Sequence, residues 1–306
     1  MSKIKYFKIF NKKYCLKKLD VPFNYKELRS QHKYINYLHK HRINTAKIKL
    51  SFLLSFFGIE IQEFVGKSTI SIDENLLVTF IAQYHNVSRQ YPHSLIKKSY
   101  YNMNFKCNNI SLNKLLLSFE EKYYNAPMEN YNKNKKYVKN KKILDKVTIK
   151  YMNFYNLFYN NYYHNDCIIH NDITSNNIIF DNNKFYIIDF DLAFNSSIYV
   201  DFVDAILKRT LTLEDLLEML QFRNINNFIL NYNNLSKYEN VEYNGVILMI
   251  GLKICSYNYY VVLQKENVDN FENNLIIIEK ILNLIERMIN NMKIEQAKIS
   301  DASKIV

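Results

Sequence analysis

The sequence predicts an α+β fold in which a small antiparallel sheet precedes a larger, mainly helical region. Three observations carry this expectation. Short apolar runs separated by turn residues occupy much of the first 66 positions, and capped patterns of helical period dominate from Ser71 onward. Within the helical part, the apolar runs Asn177 to Phe180 and Phe185 to Ile188 flank Asp181-Asn182-Asn183-Lys184, which reads as a tight β-hairpin. At 306 residues, 48% hydrophobic and 15% aromatic, the chain can bury a substantial core in one domain or two lobes, which excludes a disordered protein.

The elements follow in order. Ile4 to Phe10 and Tyr14 to Leu19, on either side of Asn11-Lys12-Lys13, read as two paired strands. Asn24-Tyr25-Lys26-Glu27 opens a helix with a capping Asn and a reciprocal Glu, and Leu28, Ile35 and Leu38 form its apolar stripe to about His41. Ile48 to Phe57, Gly58, and Ile59 to Val65 read as another hairpin, ending in Gln62-Glu63-Phe64-Val65-Gly66. Ser71-Ile72-Asp73-Glu74 is a capping box for an amphipathic helix through Leu76, Leu77, Phe80, Ile81 and Tyr84. Ser111 to Tyr124 and Lys141 to Tyr163 follow as helices, the second with Ile143, Val147, Tyr151, Phe154 and Phe158 on one face. Thr212-Leu213-Glu214-Asp215 caps another, Val246 to Leu263 and Leu275 to Met292 are long helical patterns, and the tail from Ile294 is expected to fray.

Composition narrows the function classes. No apolar run reaches the roughly 18 residues of a membrane span, and lysines interrupt Met1 to Phe10 too often for a signal peptide, so a cytoplasmic location with no membrane partner is expected. Cys15, Cys107, Cys167 and Cys255 are scattered without metal-ligand spacing, which fits reduced thiols. The net charge of +12 suggests an anionic partner. It is explained as well by a codon bias toward A and T, since the chain is crowded with Asn, Lys, Ile and Tyr but holds four Gly, three Pro and no Trp. The densest basic run, Asn132 to Lys142, reads as a solvated loop or helix edge.

The chemistry is concentrated in Ile168 to Phe194. His170, Asp172 and Asn177 stand in the order His-x-Asp-x-x-x-x-Asn, and Asp189-Phe190-Asp191 ends the hairpin. The hairpin returns Asp189 beside Asn177, with Asp172 on the loop just before them. Phosphoryl transfer from a nucleoside triphosphate needs oxygen ligands for Mg²⁺, which Asn177 and Asp189 supply, and a carboxylate to orient the attacking hydroxyl and take its proton, the role open to Asp172.

The protein-kinase signature has the same spacing, but its arginine position here is Asn171, which argues against an ordinary protein kinase. His-Asn-Asp with this hairpin resembles the aminoglycoside phosphotransferase and choline kinase superfamily, including the kinase-like spore-coat proteins grouped with it. The resemblance is strong from about Lys150 to Lys208 and weaker elsewhere. It implies a two-lobed protein-kinase-like fold, with residues 1–66 as an N-terminal nucleotide-binding lobe and 67–306 as a C-terminal catalytic and acceptor-binding lobe. ATP, or GTP in its place, and Mg²⁺ would be the cofactors, and a small hydroxyl compound the acceptor. His170 would be a structural member of the catalytic loop.

The same resemblance assigns further roles. In YCLKKL, Lys17 is the candidate for the strand lysine that reaches the α- and β-phosphates, and Lys18 points to the opposite face. Its glutamate partner falls on Glu27, which also serves as a cap, or one turn on at Gln31. Glu63 and Val65 correspond to the hinge whose main chain meets the adenine edge; a plain edge strand is the competing reading. IAQYHNVS resembles the family's Leu-His-x-x-Ser helix terminus, with His85 structural, and Asp201 or Asp204 would hold the catalytic loop. Asp191, in place of the Gly of Asp-Phe-Gly, is open to a metal-loop or a structural role. The tyrosines of Phe154 to Tyr163 suggest an aromatic cage for a quaternary ammonium, although helical core packing explains them more simply in a chain of 26 tyrosines.

One departure stands out. No glycine precedes Gly58, so the flexible phosphate cover is either shortened to Asn11-Lys12-Lys13 or absent. This favours the rival reading, a non-catalytic kinase-fold structural protein such as a spore-coat component. A nucleic-acid binder using the positive charge ranks last, because no recognition motif accompanies it. Aminoglycosides, amino alcohols, sugars and protein hydroxyls all remain open as acceptors, and the sequence carries no signal of oligomeric state.

Overall fold

Apolar runs broken by turns pair into strands at the N-terminus, and longer stretches of helical period follow. The computed structural model describes residues 4–9, 12–18, 25–46, 59–66, 74–92, 106–107, 110–111, 118–165, 167–174, 177–181, 184–207, 212–222, 225–238, 240–263 and 267–302. The backbone forms two compact units that interleave along the chain. One comprises Met1–Ser118, His164–Arg209 and Leu230–Asn240, and the other Phe119–Tyr163, Thr210–Ile229 and Val241–Val306.

In the first unit, β1 (Ile4–Ile9), β2 (Lys12–Lys18) and β3 (Ile59–Glu63) form an antiparallel sheet in the order β1-β2-β3. Ile9 lies opposite Lys12, so Lys12 and Lys13, expected in the turn, belong to β2, and only Phe10 and Asn11 connect the strands. The expected strand over residues 48–57 lies outside the described residues. Helix α1 (Tyr25–Lys40) buries Ile35 and Leu38 of its expected stripe together with Tyr34, and the side chain of Leu28 lies outside the described residues. Helix α2 (Glu74–Ser88) buries Leu77, Val78, Phe80, Ile81 and Tyr84, whereas Leu76, expected on that face, is exposed. The apolar arc therefore runs through Val78 and leaves Leu76 outside it. The capping residues Ser71 to Asp73 lie outside the described residues.

A helix starting at Ser111 was expected, and there the structure differs. β4 (Lys106–Cys107) and β5 (Ile110–Ser111) form a short antiparallel pair, so Ser111 ends a hairpin. Helical structure is present from Phe119, passes through a π-turn at Glu121–Asn125 and continues as α3 (Ala126–Asn134). The lysines of the basic run are exposed around a single 3-10 turn, Lys135–Tyr137, as expected of a solvated edge. Helix α4 (Lys141–Asn161) is capped by Asn140, whose Oδ1 accepts from the Ile143 amide at 3.3 Å, and it buries Val147, Tyr151, Phe154 and Phe158.

The chain then returns to the first unit. β6 (Cys167–Ile169) pairs with β9 (Phe194–Ser196), and between them β7 (Ile178–Asp181) pairs with β8 (Lys184–Ile187), Asp181 opposite Lys184. Helix α5 (Tyr199–Leu207) follows and packs on α2.

Helix α6 (Leu213–Phe222) carries the predicted capping box. The Thr212 amide donates to Asp215 Oδ2 at 3.0 Å, and the Asp215 amide donates to Thr212 Oγ1 at 3.1 Å. Helix α7 (Ile225–Asn233) leads back toward the first unit, to which Tyr232 belongs. Helix α8 (Tyr243–Tyr257) forms the centre of the second unit's core together with α4 and α9 (Val268–Ala302). By length and composition Tyr243–Val262 could cross a membrane, but 72% of its apolar window is buried inside the protein, as in a core helix. It ends in a π-turn at Asn258–Val262, where Asn130 Nδ2 donates to the Tyr259 carbonyl at 2.7 Å and the Leu263 carbonyl at 2.6 Å. Those two bonds satisfy carbonyls at the end of a helix. The tail from Ile294, expected to fray, remains helical to Ala302.

Candidate active site

The site grows out of β6. Cys167, Ile168 and Ile169 are fully buried, and the Tyr34 and Tyr84 hydroxyls both donate to the Ile168 carbonyl, at 3.4 and 3.1 Å. Burial pushes both phenols well above the usual tyrosine range, so they stay protonated and able to donate. The strand end is thereby tied to α1 and α2.

Immediately after β6 the backbone amides of His170 and Asn171 donate to one carboxylate, Asp201 on α5, at 2.7 Å each, one to each oxygen. Of the two aspartates considered from the sequence, Asp201 therefore makes this contact. Asp201 is fully buried, which by itself would raise its carboxyl. The hydrogen bond from His85, the nearby His85 and His170 rings and the His170 amide outweigh that effect and hold it below the ordinary aspartate value.

Asn171 has φ of 65°, in the left-handed region that Asn tolerates better than most residues. Its Nδ2 donates to the Leu192 carbonyl at 3.3 Å. The residue type that argued against a protein kinase thus also suits a left-handed turn, a signal the sequence reading did not use.

Asp172 and Asn177 are brought into contact. Asn177 Nδ2 donates to Asp172 Oδ2 at 2.7 Å and to the Asp172 carbonyl at 3.0 Å. The Asn177 and Ile178 amides both donate to the Thr174 carbonyl at 2.9 Å, closing the loop between them. The hairpin then returns the chain, Ile178 opposite Ile187, and the Ile188 amide donates to the Asn177 carbonyl at 3.0 Å. Asp189 comes next, also left-handed at φ 64°. His170 Nε2 donates to the Ile188 carbonyl at 2.8 Å, and its ring meets Phe190 edge-on at 4.9 Å. Phe190 also packs against Tyr34 and Tyr84. His170 is thus fully buried and braces the segment that carries Asp189.

The donor set suits a magnesium ion. With its Nδ2 engaged by Asp172, Asn177 offers its amide oxygen, and Asp189 offers a partly exposed carboxylate. Among the described residues no three His, Cys, Asp or Glu side chains gather as a metal cage. Magnesium is commonly held by one or two protein oxygens with phosphates and water completing the octahedron, so this pair fits it.

The other sequence candidates lie in the same unit. The backbone of Lys17 is in β2, opposite Ile4 and Glu60, and that of Glu27 is in α1; their side chains, like that of Asp191, lie outside the described residues. Glu63 ends β3 opposite Tyr14, and the Phe64 amide donates to the Lys13 carbonyl at 3.0 Å. Val65 and Gly66 follow. Gly66 has φ of 128°, and a Cβ there would stand 3.3 Å from Ile179 Cγ2, so the segment lies directly against β7.

Several supporting residues escaped the sequence reading. Asn44 accepts from the Ile187 amide at 3.0 Å and donates through Nδ2 to the Phe185 carbonyl at 3.1 Å, and Thr45 forms a parallel bridge to Ile187. The segment after α1 thereby adds to β8. The tyrosines of α4 belong to the second unit: Tyr155, Tyr159 and Tyr163 stack in series at 5.6 and 4.9 Å, and Phe119 contacts all three rings. They pack on one another, with Tyr155 in the core, as the simpler reading held, and Tyr159 exposed, against it.

Comparison with known proteins bears on the fold. Residues 156–225 match the model of the phosphotransferase enzyme family. No curated protein matches the chain in sequence. Among solved structures, it is similar to the choline kinase LicA from Streptococcus pneumoniae (14% identity, 90% of this chain and 89% of that one, TM-score 0.53). It is also similar to the amicoumacin kinase hAmiN in complex with AMP-PNP, Ca²⁺ and Ami (11% identity, 94% and 86%, TM-score 0.58). A third is the ADP-bound aminoglycoside phosphotransferase APH(2'')-Ib (12% identity, 92% and 94%, TM-score 0.51).

Proposed function

We propose that this chain, which has the α+β kinase-like fold of the choline kinase and aminoglycoside phosphotransferase superfamily, is a phosphotransferase that moves a phosphoryl group from ATP to a hydroxyl of a small molecule. The observation that carries the proposal is the Asp172–Asn177 contact of 2.7 Å, in a loop whose preceding amides are fixed by buried Asp201. Such an arrangement fixes the orientation of the carboxylate that would receive the proton.

The roles follow from the chemistry of each group. Asp172 orients the acceptor hydroxyl and takes its proton as the oxygen attacks the terminal phosphorus. Asn177 aligns Asp172 through Nδ2 and, with Asp189, would hold Mg²⁺, which when bound neutralises charge on the phosphates. His170 keeps the Asp189 segment in register through the Ile188 carbonyl. Residues 1–66 are assigned the nucleotide, with Lys17, paired with Glu27 or Gln31, on the phosphates and Glu63 and Val65 at the adenine edge; residues 67–306 are assigned catalysis and the acceptor. The relatives described as bound to AMP-PNP with Ca²⁺ and to ADP support a nucleotide site.

The test is turnover with ATP and Mg²⁺ across amino alcohols, aminoglycosides and sugars, following phosphorylated product. Asp172→Ala should lower turnover by about a thousandfold and leave nucleotide binding intact. Substantial activity in that variant would remove Asp172 from the reaction.

One observation favours a second reading. The β1–β2 connection is reduced to Phe10 and Asn11, with no glycine to drape over phosphates. A non-catalytic kinase-fold protein, such as a spore-coat component, would show no stabilisation by Mg²⁺-nucleotide and would be recovered in an assembly.

A further inference from the structure

We infer that a groove between α4 and α9, within the second unit, binds a neutral polyhydroxylated ring, a sugar or a cyclitol. The inference does not rest on the phosphotransferase reading, because the groove and the Asp172 loop belong to different units. The groove encloses about 380 Å³, inside the range of roughly 300–1,000 Å³ usual for small-molecule sites. Asn153, Asn156, Leu157 and Asn160 line it from one face of α4, at positions i, i+3, i+4 and i+7, and Glu286 and Asn290 face them from α9. Its floor is apolar, formed by the buried Phe154 and Ile289.

The chemistry of the lining selects the ligand. Four carboxamides converge on the groove, and among the described residues no protein group engages the side chains of Asn153, Asn156, Asn160 or Asn290. Other asparagines of this unit are spent internally: Asn161 donates back to the Leu157 carbonyl at 2.7 Å, and Asn258 to the Ile254 carbonyl at 2.9 Å. Each groove carboxamide therefore presents both a donor and an acceptor, as a hydroxyl does. Charge is cancelled in place, since Lys150 Nζ donates to Glu286 Oε2. The groove thus offers no unpaired cation to a phosphate and no unpaired carboxylate to an amine. Leu157, 41% exposed, and the apolar floor meet C–H groups. A ring with hydroxyls at its rim and C–H groups on its face satisfies both kinds of surface. The groove is also preformed: Gly251 of α8 lets Phe154 pack so closely that a Cβ there would stand 3.0 Å from Phe154 Cδ2, and Lys146 pairs with Glu279 at 3.7 Å between α4 and α9. A ligand entering such a site pays little to order it.

The test is saturation-transfer NMR titration of the full chain with maltose, N-acetylglucosamine and myo-inositol, compared with glucose 6-phosphate and choline. At least one neutral probe should receive saturation at its ring C–H protons, and the two charged probes should not. The double variant Asn153→Ala, Asn290→Ala should weaken that binding about tenfold, the factor expected for losing two neutral hydrogen bonds. Alanine is the better helix former at both positions, so the variant should unfold no earlier than the wild type. Asn161→Ala, whose asparagine bonds its own helix, should bind as the wild type does. Transfer to none of the three neutral probes, equal transfer to a charged one, or unchanged affinity in the double variant would overturn the inference. Asp172→Ala separates this groove from the proposed acceptor site: binding kept there and weakened in the double variant supports the groove, whereas the reverse places the sugar at the acceptor site and overturns it. Should the groove results hold while the wild type transfers no phosphoryl group to any acceptor, the proposed function fails and the groove stands.

Discussion

Replacing Asp201 by Asn probes the best-defined contact of the site. The carboxylate is fully buried and accepts two amides at 2.7 Å and His85 Nε2 at 3.3 Å. Asn keeps one acceptor oxygen and turns an NH₂ group toward the remaining donor or donors. At least one charge-assisted bond is lost and a buried N–H is left without an acceptor, a combined cost of about 3 kcal/mol. Denaturant unfolding of both proteins at neutral pH measures the difference. Its pH dependence has a definite sign. The Asp201 carboxyl is held below its ordinary value in the folded state, so its stabilisation is fully present above the unfolded aspartate value of about 4 and is lost as the pH falls toward the lower folded value. The wild-type advantage should therefore be constant from neutral pH to mildly acidic pH and shrink in stronger acid. A difference below about 1 kcal/mol at neutral pH, or one that persists unchanged through the acid range, would refute the reasoning.

Other changes test separate parts of the structure. Gly66→Ala forces a side chain into φ of 128° and places its Cβ 3.3 Å from Ile179 Cγ2, so it should destabilise by about 2 kcal/mol in thermal or denaturant unfolding. Thr212→Ala removes the hydroxyl that caps α6 at 3.1 Å and should cost about 1 kcal/mol. Asn177→Ala deletes both bonds to Asp172, and in turnover assays it should lower kcat and raise the Mg²⁺ concentration needed for half-maximal rate.

The sequence is most informative where structure is local. The β7–β8 hairpin follows from two short apolar runs and a polar turn, α1 and α4 follow from helical period, and α6 from a capping box within four residues. The Asp172–Asn177 contact is equally local, five positions apart. What escaped depends on distant partners. Pairing of β6 with β9, the Asn44 bonds to β8 and the His85–Asp201 contact join residues 25 to 143 positions apart, and no periodicity within either segment encodes the partner. The 106–111 hairpin was missed because its strands are two residues long, too short for alternation to register against the apolar run that follows. Leu76 was misassigned because one position along a helix turns the side chain by about 100°, enough to move it from core to solvent.

The central claim is a magnesium-dependent nucleotide site at Asn177 and Asp189. Its most direct measurement is the thermal stability of the purified chain with ATP and with GTP, in the presence and absence of Mg²⁺, for the wild type and Asp189→Ala. The account predicts an upward shift of several degrees with Mg²⁺-nucleotide in the wild type, the size that saturating ligand produces, and its disappearance in Asp189→Ala. An absence of any shift at millimolar nucleotide, or a shift that Asp189→Ala leaves intact, would contradict it.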